Sequence, residues 1–155
     1  MSKTNAIRIL EAKGIQFTVH SYEVDEEDLR GSTVANKIGA AEETVFKTLV
    51  AEGDKTGINV FCIPVSEELN LKKAASASGN KKIEMVKVKE LFPLTGYIRG
   101  GCSPIGMKKN YPVYIEETAL LFEKIYISAG IRGMQICLSP NDIQKAVNTV
   151  FADLL

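Results

Sequence analysis

Residues 45–65, VFKTLVAEGDKTGINVFCIPV, decide the fold. VFKTLVAEG and INVFCIPV are two apolar, β-branched runs, and DKTG between them is a turn. They predict a β-hairpin. One residue breaks the pattern. Lys47 interrupts the first run, followed by Thr48, and a cation in an apolar run needs a reason. A lysine that snorkels from an edge strand is one reason, and a binding site is another.

Outward from the hairpin, the chain alternates helical and strand-like segments. On the N-terminal side, Ala6, Ile7, Ile9, Leu10 and Lys13 have helical spacing, with Gly14 as a C-cap. IQFTVHSYEV (15–24) alternates like a strand. DEEDLRGS (25–32) is an acidic loop, and Ser32 or Thr33 caps a short helix that stops at Gly39. On the C-terminal side, EELNLKKAASASG predicts a helix ending at Gly79. IEMV is a short strand and VKVKELFPL a helical turn. PVYIEE, FEKIYISAG and MQICLSP are strand-like, with AGIRG as a tight turn. SPNDIQKAVNTVFADLL predicts a terminal helix with Ser139 as N-cap and Pro140 at its first position. Ile143, Ala146, Val147, Val150 and Phe151 would line one face of it. The pattern is α+β, with a mixed, mainly antiparallel, barrel-like sheet and packed helices.

The 155 residues predict a single domain over 1–155. Nineteen basic and nineteen acidic residues cancel. That balance argues against gripping long nucleic acid through phosphates, but leaves room for a short exposed end. Three widely spaced cysteines (Cys62, Cys102, Cys137) do not form a disulfide framework and point to a reducing compartment. No apolar run has membrane-spanning length, and the N-terminus lacks the features of a secretory signal. The expected location is cytoplasmic, with no membrane partner.

Gly96–Lys109, GYIRGGCSPIGMKK, holds four glycines (Gly96, Gly100, Gly101, Gly106) and Pro104 around a few polar side chains. Such a loop presents backbone N–H groups rather than side chains. With Lys47 it suggests a pocket in which one cation faces a rigid set of amide donors. Other chemistry is missing. His20 is the only histidine, and there is no Cys-x-x-Cys, so no metal is expected. GCSPIG is not a nucleophile elbow, and phosphate-loop and dinucleotide glycine patterns are absent, so no cofactor is expected. Cys102 lacks an activating partner in the sequence.

VFKTLV, LNLKKAA, KKIEMV, TGYIRGGCSPIGMKK and IYISAGIRG, in this order and spacing, closely resemble the YbaK family. These are free-standing editing proteins related to the editing domain of bacterial prolyl-tRNA synthetases. The resemblance runs over nearly the whole chain. It implies deacylation of mischarged tRNA, foremost cysteine on proline tRNA, with cysteine tRNA as a second acceptor. It also implies prolyl-tRNA synthetase as a partner.

By the same resemblance, Lys47 is the key residue, with Thr48 beside it. Gly100-Gly101-Cys102-Ser103-Pro104 is the family's Gly-x-x-x-Pro loop, and Gly100 and Gly101 fix amides that act as an oxyanion hole. The family's tyrosine after the first strand falls on Tyr22, and the serine before its Gly-x-Arg-Gly turn on Ser128. Arg132, with some of the lysines, could orient the acceptor stem. The implied reaction is substrate-assisted: the thiol of the bound cysteine attacks its own ester and leaves as a thiolactone, with water attack as the alternative. The chain departs from the family in two places. Arg30 stands where well-known members carry an aromatic pocket wall, and Gln135 follows Met134 where some members carry an acid. A binding module for an aminoacyl-adenosine-like group, or one that docks on a synthetase without chemistry, is the other reading.

Overall fold

The computed structural model describes residues 3–155. The central hairpin forms as the sequence predicts. β2 (Phe46–Gly53) and β3 (Gly57–Pro64) pair antiparallel, from Phe46 opposite Pro64 to Gly53 opposite Gly57. Their turn is plugged from outside by Asn80, whose side-chain oxygen accepts from the N–H groups of Lys55 and Thr56, both at 2.9 Å.

The remaining elements assemble around this pair. Before it come α1 (Asn5–Ala12), β1 (Thr18–Ser21) and α2 (Gly31–Lys37). After it come α3 (Leu71–Ala77), β4 (Ile83–Met85), α4 (Val88–Thr95), β5 (Val113–Glu116), β6 (Ile125–Ser128), β7 (Met134–Leu138), α5 (Pro140–Ala146) and β8 (Thr149–Ala152). Five strands form one sheet in the order β4-β2-β3-β5-β8, and three form another in the order β1-β7-β6. Four strand pairings are antiparallel, while β5 lies parallel to both β3 and β8. The fold is therefore mixed α+β. The sheets do not close on each other: a single parallel bridge, Val45 to Tyr126, joins them among the described residues, so the expected barrel is not a closed one.

The period-two pattern of β3 explains the layering. Val60 and Cys62 face the larger core with Leu10, Ile105, Ile127 and Ile136. Phe61 and Ile63 face a second core under α3, with Ala74 and Leu154. Burying a side chain such as Phe61 stabilises by roughly 1.5–3 kcal/mol. A strand covered on both faces reads as a continuous apolar run, which is how INVFCIPV reads.

The tail departs from the sequence expectation. Helix α5 ends at Ala146, and Val147 is already extended (φ −142°, ψ 156°). Thr149–Ala152 then adds to β5 as a parallel edge strand. Val147, Thr149 and Val150 are β-branched and tolerate a strand better than a helix. The unpaired edge of β5 supplies the partner, which periodicity alone does not reveal. Buried Glu116 fixes the end: its carboxylate accepts from the N–H groups of Leu154 (2.9 Å) and Thr118 (2.8 Å). Two smaller differences concern boundaries. The expected strand over 15–24 is formed only by β1, and α3 starts at Leu71 because the Asn70 side chain caps the N–H groups of Lys72 and Lys73 at 3.1 Å each. Among the described residues no helix is long and apolar enough to cross a membrane.

Candidate active site

β4 pairs with β2 only at Ala51–Gly53. The first half of β2 is therefore an open sheet edge, facing the three-stranded sheet. A cavity of about 440 Å³ lies there. Its wall includes Val45–Leu49 along that edge, Ser128 from β6, Gln135 from β7, Leu29–Ser32 and Val34 around α2, and Arg99, Gly100 and Cys102 from the glycine loop. Lys47 and Gly100 thus meet at one hollow, the arrangement the sequence suggested.

The glycine loop is held from several sides. Gly96 ends α4 in the left-handed region (φ 82°). Tyr97 Oη donates to the Ile105 carbonyl at 2.6 Å, and Asn5 Nδ2 donates to the Gly106 carbonyl at 2.9 Å. Gly100 has φ 85°, a conformation that a side chain would strain. Gly101 is needed for a different reason. A Cβ there would stand 2.9 Å from the backbone N of Arg132 and 3.0 Å from the carbonyl carbon of Ile131. Two backbone segments touch at this residue.

The structure divides the predicted loop residues. Gly100 and Cys102 line the cavity, whereas Gly101, Ser103 and Pro104 do not. The Gly101 N–H donates to the Ile98 carbonyl at 2.9 Å, which takes it out of the expected amide pair. The N–H groups of Gly100 and Cys102 have no acceptor among the described residues. Buried Ser103 receives the Ile105 N–H at 3.2 Å, a turn-holding bond. Pro104 faces a different hollow, beside Asn5 and Met107.

The other predicted residues also divide. Thr48 and Ser128 are on the wall. Thr48 Oγ1 lies 3.7 Å from Cys62 Sγ, and Ser128 Oγ accepts from the Gly130 N–H at 3.1 Å. Tyr22 stands behind the wall, in a narrow cleft that shares Leu29, Val34 and Gly100 with the cavity. Arg132 braces the loop, its Nε donating to the Arg99 carbonyl at 2.8 Å. His20 bonds Thr18 at 2.9 Å and meets the Tyr126 ring edge-on at 5.2 Å, a structural setting.

The field in the cavity is positive. Arg30, Lys47 and Arg99 line it, and no Asp or Glu does. Arg30 is tied back in a two-pronged bond to Asp28, Nε to Oδ1 at 2.9 Å and NH2 to Oδ2 at 3.0 Å. That guanidinium, with the Thr33 hydroxyl at 2.8 Å, holds the Asp28 carboxyl well below the usual carboxylate range. Lys47 and Arg99 carry no ion pair among the described residues. Burial pushes the Cys102 thiol up to about 12, so it is no thiolate at neutral pH. Arg99 and Gln135 are among the wall residues that no sequence motif marks as part of a site. Arg99 sits inside the glycine motif and is held there by Arg132, and Gln135 reaches the wall where β6, β7 and β2 meet.

A hollow that offers unpaired cations and free amides, with no acidic side chain, suits an oxygen-rich, negatively charged ligand end. Comparison with known proteins agrees with that class. The model of the aminoacyl-tRNA editing domain matches residues 30–146. A protein of Enterococcus faecalis named as a candidate Cys-tRNA(Pro)/Cys-tRNA(Cys) deacylase, EbsC, is 48% identical over 152 residues, covering 98% of this chain and 93% of the relative. This chain belongs to the aminoacyl-tRNA editing domain family. The fold is shared with the crystal structure of a candidate trans-editing enzyme for prolyl tRNA synthetase, with TM-score 0.82, 24% identity, and 99% and 98% of the two chains covered. A crystallised hypothetical protein shares it with TM-score 0.87 at 22% identity, covering 97% of this chain and 99% of the other.

Proposed function

We propose that this chain is a single-domain trans-editing deacylase over 1–155, working in the cytoplasm. It releases the wrong amino acid, foremost cysteine, from proline tRNA, and secondarily cysteine from cysteine tRNA. The observation that carries this reading is that Lys47 and Gly100 line one cavity of about 440 Å³, a volume in the range of small-molecule sites.

Lys47 and Arg99 hold the phosphate and ribose oxygens of the tRNA end. The Gly100 and Cys102 amides receive the ester carbonyl oxygen as charge grows on it; such a donor is worth about 3–4 kcal/mol of barrier. Thr48 and Ser128 shape the wall around the amino acid. No histidine or carboxylate lines the cavity to serve as a base, which favours a nucleophile carried by the substrate. The cysteine sulfur attacks its own carbonyl carbon, the carbon–oxygen ester bond breaks, the ribose oxygen takes up a proton, and a thiolactone departs. The near-zero net charge gives weak hold on the tRNA body. Prolyl-tRNA synthetase supplies that hold as a partner.

Labelled cysteinyl- and seryl-proline tRNA, each at large excess over protein, test the reading. Many turnovers are expected on the cysteine ester and few on the serine ester. Lys47→Ala is expected to lose about two orders of magnitude in rate with its melting temperature unchanged. Release limited to one equivalent of protein would mean a binding module. Full activity of Lys47→Ala would overturn the site. Added synthetase at dilute tRNA is expected to raise the rate, and no rise would remove it as a partner.

A further inference from the structure

Gln135 stands on β7 opposite Ser128 of β6 and His20 of β1. It lines the cavity yet is only 6% exposed. Its Oε1 is buried with no hydrogen-bond partner among the described residues. An orphaned buried acceptor is costly, and one on a side chain that lines a cavity can be satisfied by a donor on a bound ligand. The last torsion of a glutamine is soft, so the oxygen can turn toward a ligand while the rest of the side chain stays put.

The rest of the wall explains which donor this is. Lys47, Arg99 and the loop amides are donors, matched to the carbonyl, ribose and phosphate oxygens of an aminoacyl-tRNA end. Of the donors on that substrate, the α-amine is the one that can carry positive charge, and inside a cavity of cations it needs an acceptor. No carboxylate lines the cavity. Ser128 Oγ already accepts from Gly130 at 3.1 Å, and Thr48 Oγ1 rests against Cys62 Sγ at 3.7 Å. Ser32 lies at the start of α2, next to the Arg30 charge.

We infer that Gln135 receives the α-amino group of the aminoacyl ester through its uncharged amide oxygen, so that the site selects a free amine over an N-acylated one. The choice of ligand rests on the deacylase reading above, so the test measures binding rather than turnover. The probes are 3′-cysteinylamino-3′-deoxyadenosine and its N-acetyl form, whose amide links resist cleavage. NMR titration is expected to give about tenfold tighter binding of the free amine, the worth of one good hydrogen bond. Gln135→Leu removes an unpartnered polar atom and should fold as well as the parent; Gln135→Met is the second apolar variant. Both are expected to lose the preference, and Gln135→Glu, which keeps an acceptor, to retain it. Equal binding of the two probes to the parent protein overturns the inference. So does a preference that survives in the apolar variants or vanishes in Gln135→Glu. A retained preference beside a protein that never turns over would sink the deacylase reading alone, and binding of neither probe at millimolar concentration would sink both.

Discussion

Arg132 Nε donates to the carbonyl oxygen of Arg99 at 2.8 Å, although the two residues stand 33 positions apart in the chain. The bond ties the turn after β6 to the glycine loop, and the same guanidinium reaches Glu26 at 4.0 Å. Arg132 thereby fixes the loop that carries Gly100 at the cavity wall. Arg132→Ala is expected to destabilise by about 1 kcal/mol, lowering the melting temperature by roughly 2–4 °C. Deacylation should fall further than stability explains. Arg132→Lys should not rescue it, because a lysine lacks the directed Nε–H. Wild-type rates in Arg132→Ala would show that the loop needs no brace.

Gly101 allows the two backbones to touch. In Gly101→Ala, the new methyl meets the Arg132 nitrogen at 2.9 Å, and neither backbone can rotate away as a side chain could. The expected cost is about 1–3 kcal/mol, read as a lower midpoint in urea. Deacylation should drop as the loop withdraws from the turn after β6. An unchanged midpoint would mean that the loop moves freely.

The cysteines yield a pH prediction. Burial pushes both Cys62 and Cys102 up to about 12 from 9.0. A thiol whose folded value is raised stabilises the fold below pH 9 and ceases to do so as pH climbs from there toward 12, because the unfolded chain sheds its protons first. Thermal stability should therefore decline through that window. At pH 8 the thiolate fraction is on the order of one in ten thousand, so iodoacetamide should leave both thiols unmodified in the native protein. Cys102→Ala should keep its activity within a few-fold. A loss of two orders of magnitude would assign the chemistry to the Cys102 thiol.

The Asp28–Arg30 pair has the opposite sign. A carboxyl held below 3.8 adds stability above that pH and loses it as the solution is acidified further. In carbon-detected NMR titration the Asp28 midpoint is expected below 3.8, and Arg30→Met should move it up toward that value. Arg30→Met also frees the cavity mouth of a tethered guanidinium, so the pattern of amino acids released should change. An unshifted Asp28 midpoint in the variant would mean that the pair does not form in solution.

The sequence by itself determined the elements whose local preferences and burial agree. The β2–β3 hairpin, α1, α3 and the position of the glycine loop follow from residue pattern, because a run such as INVFCIPV fits a strand covered on both faces whatever surrounds it. It also pointed to Lys47, a cation in an apolar run, and the glycine loop as neighbours, and Lys47 and Gly100 do line one cavity. The tail was different. Residues 147–152 carry helix-compatible spacing and β-branched side chains together, and the free edge of β5 settled the contest in favour of a strand. The site was decided in the same way. Which loop amides stay free, that Arg132 braces rather than lines, and that Gln135 keeps a buried, unpartnered oxygen at the cavity wall all depend on how distant segments meet. Contacts between residues far apart in the chain are made only once both sheets exist, and no local pattern carries them.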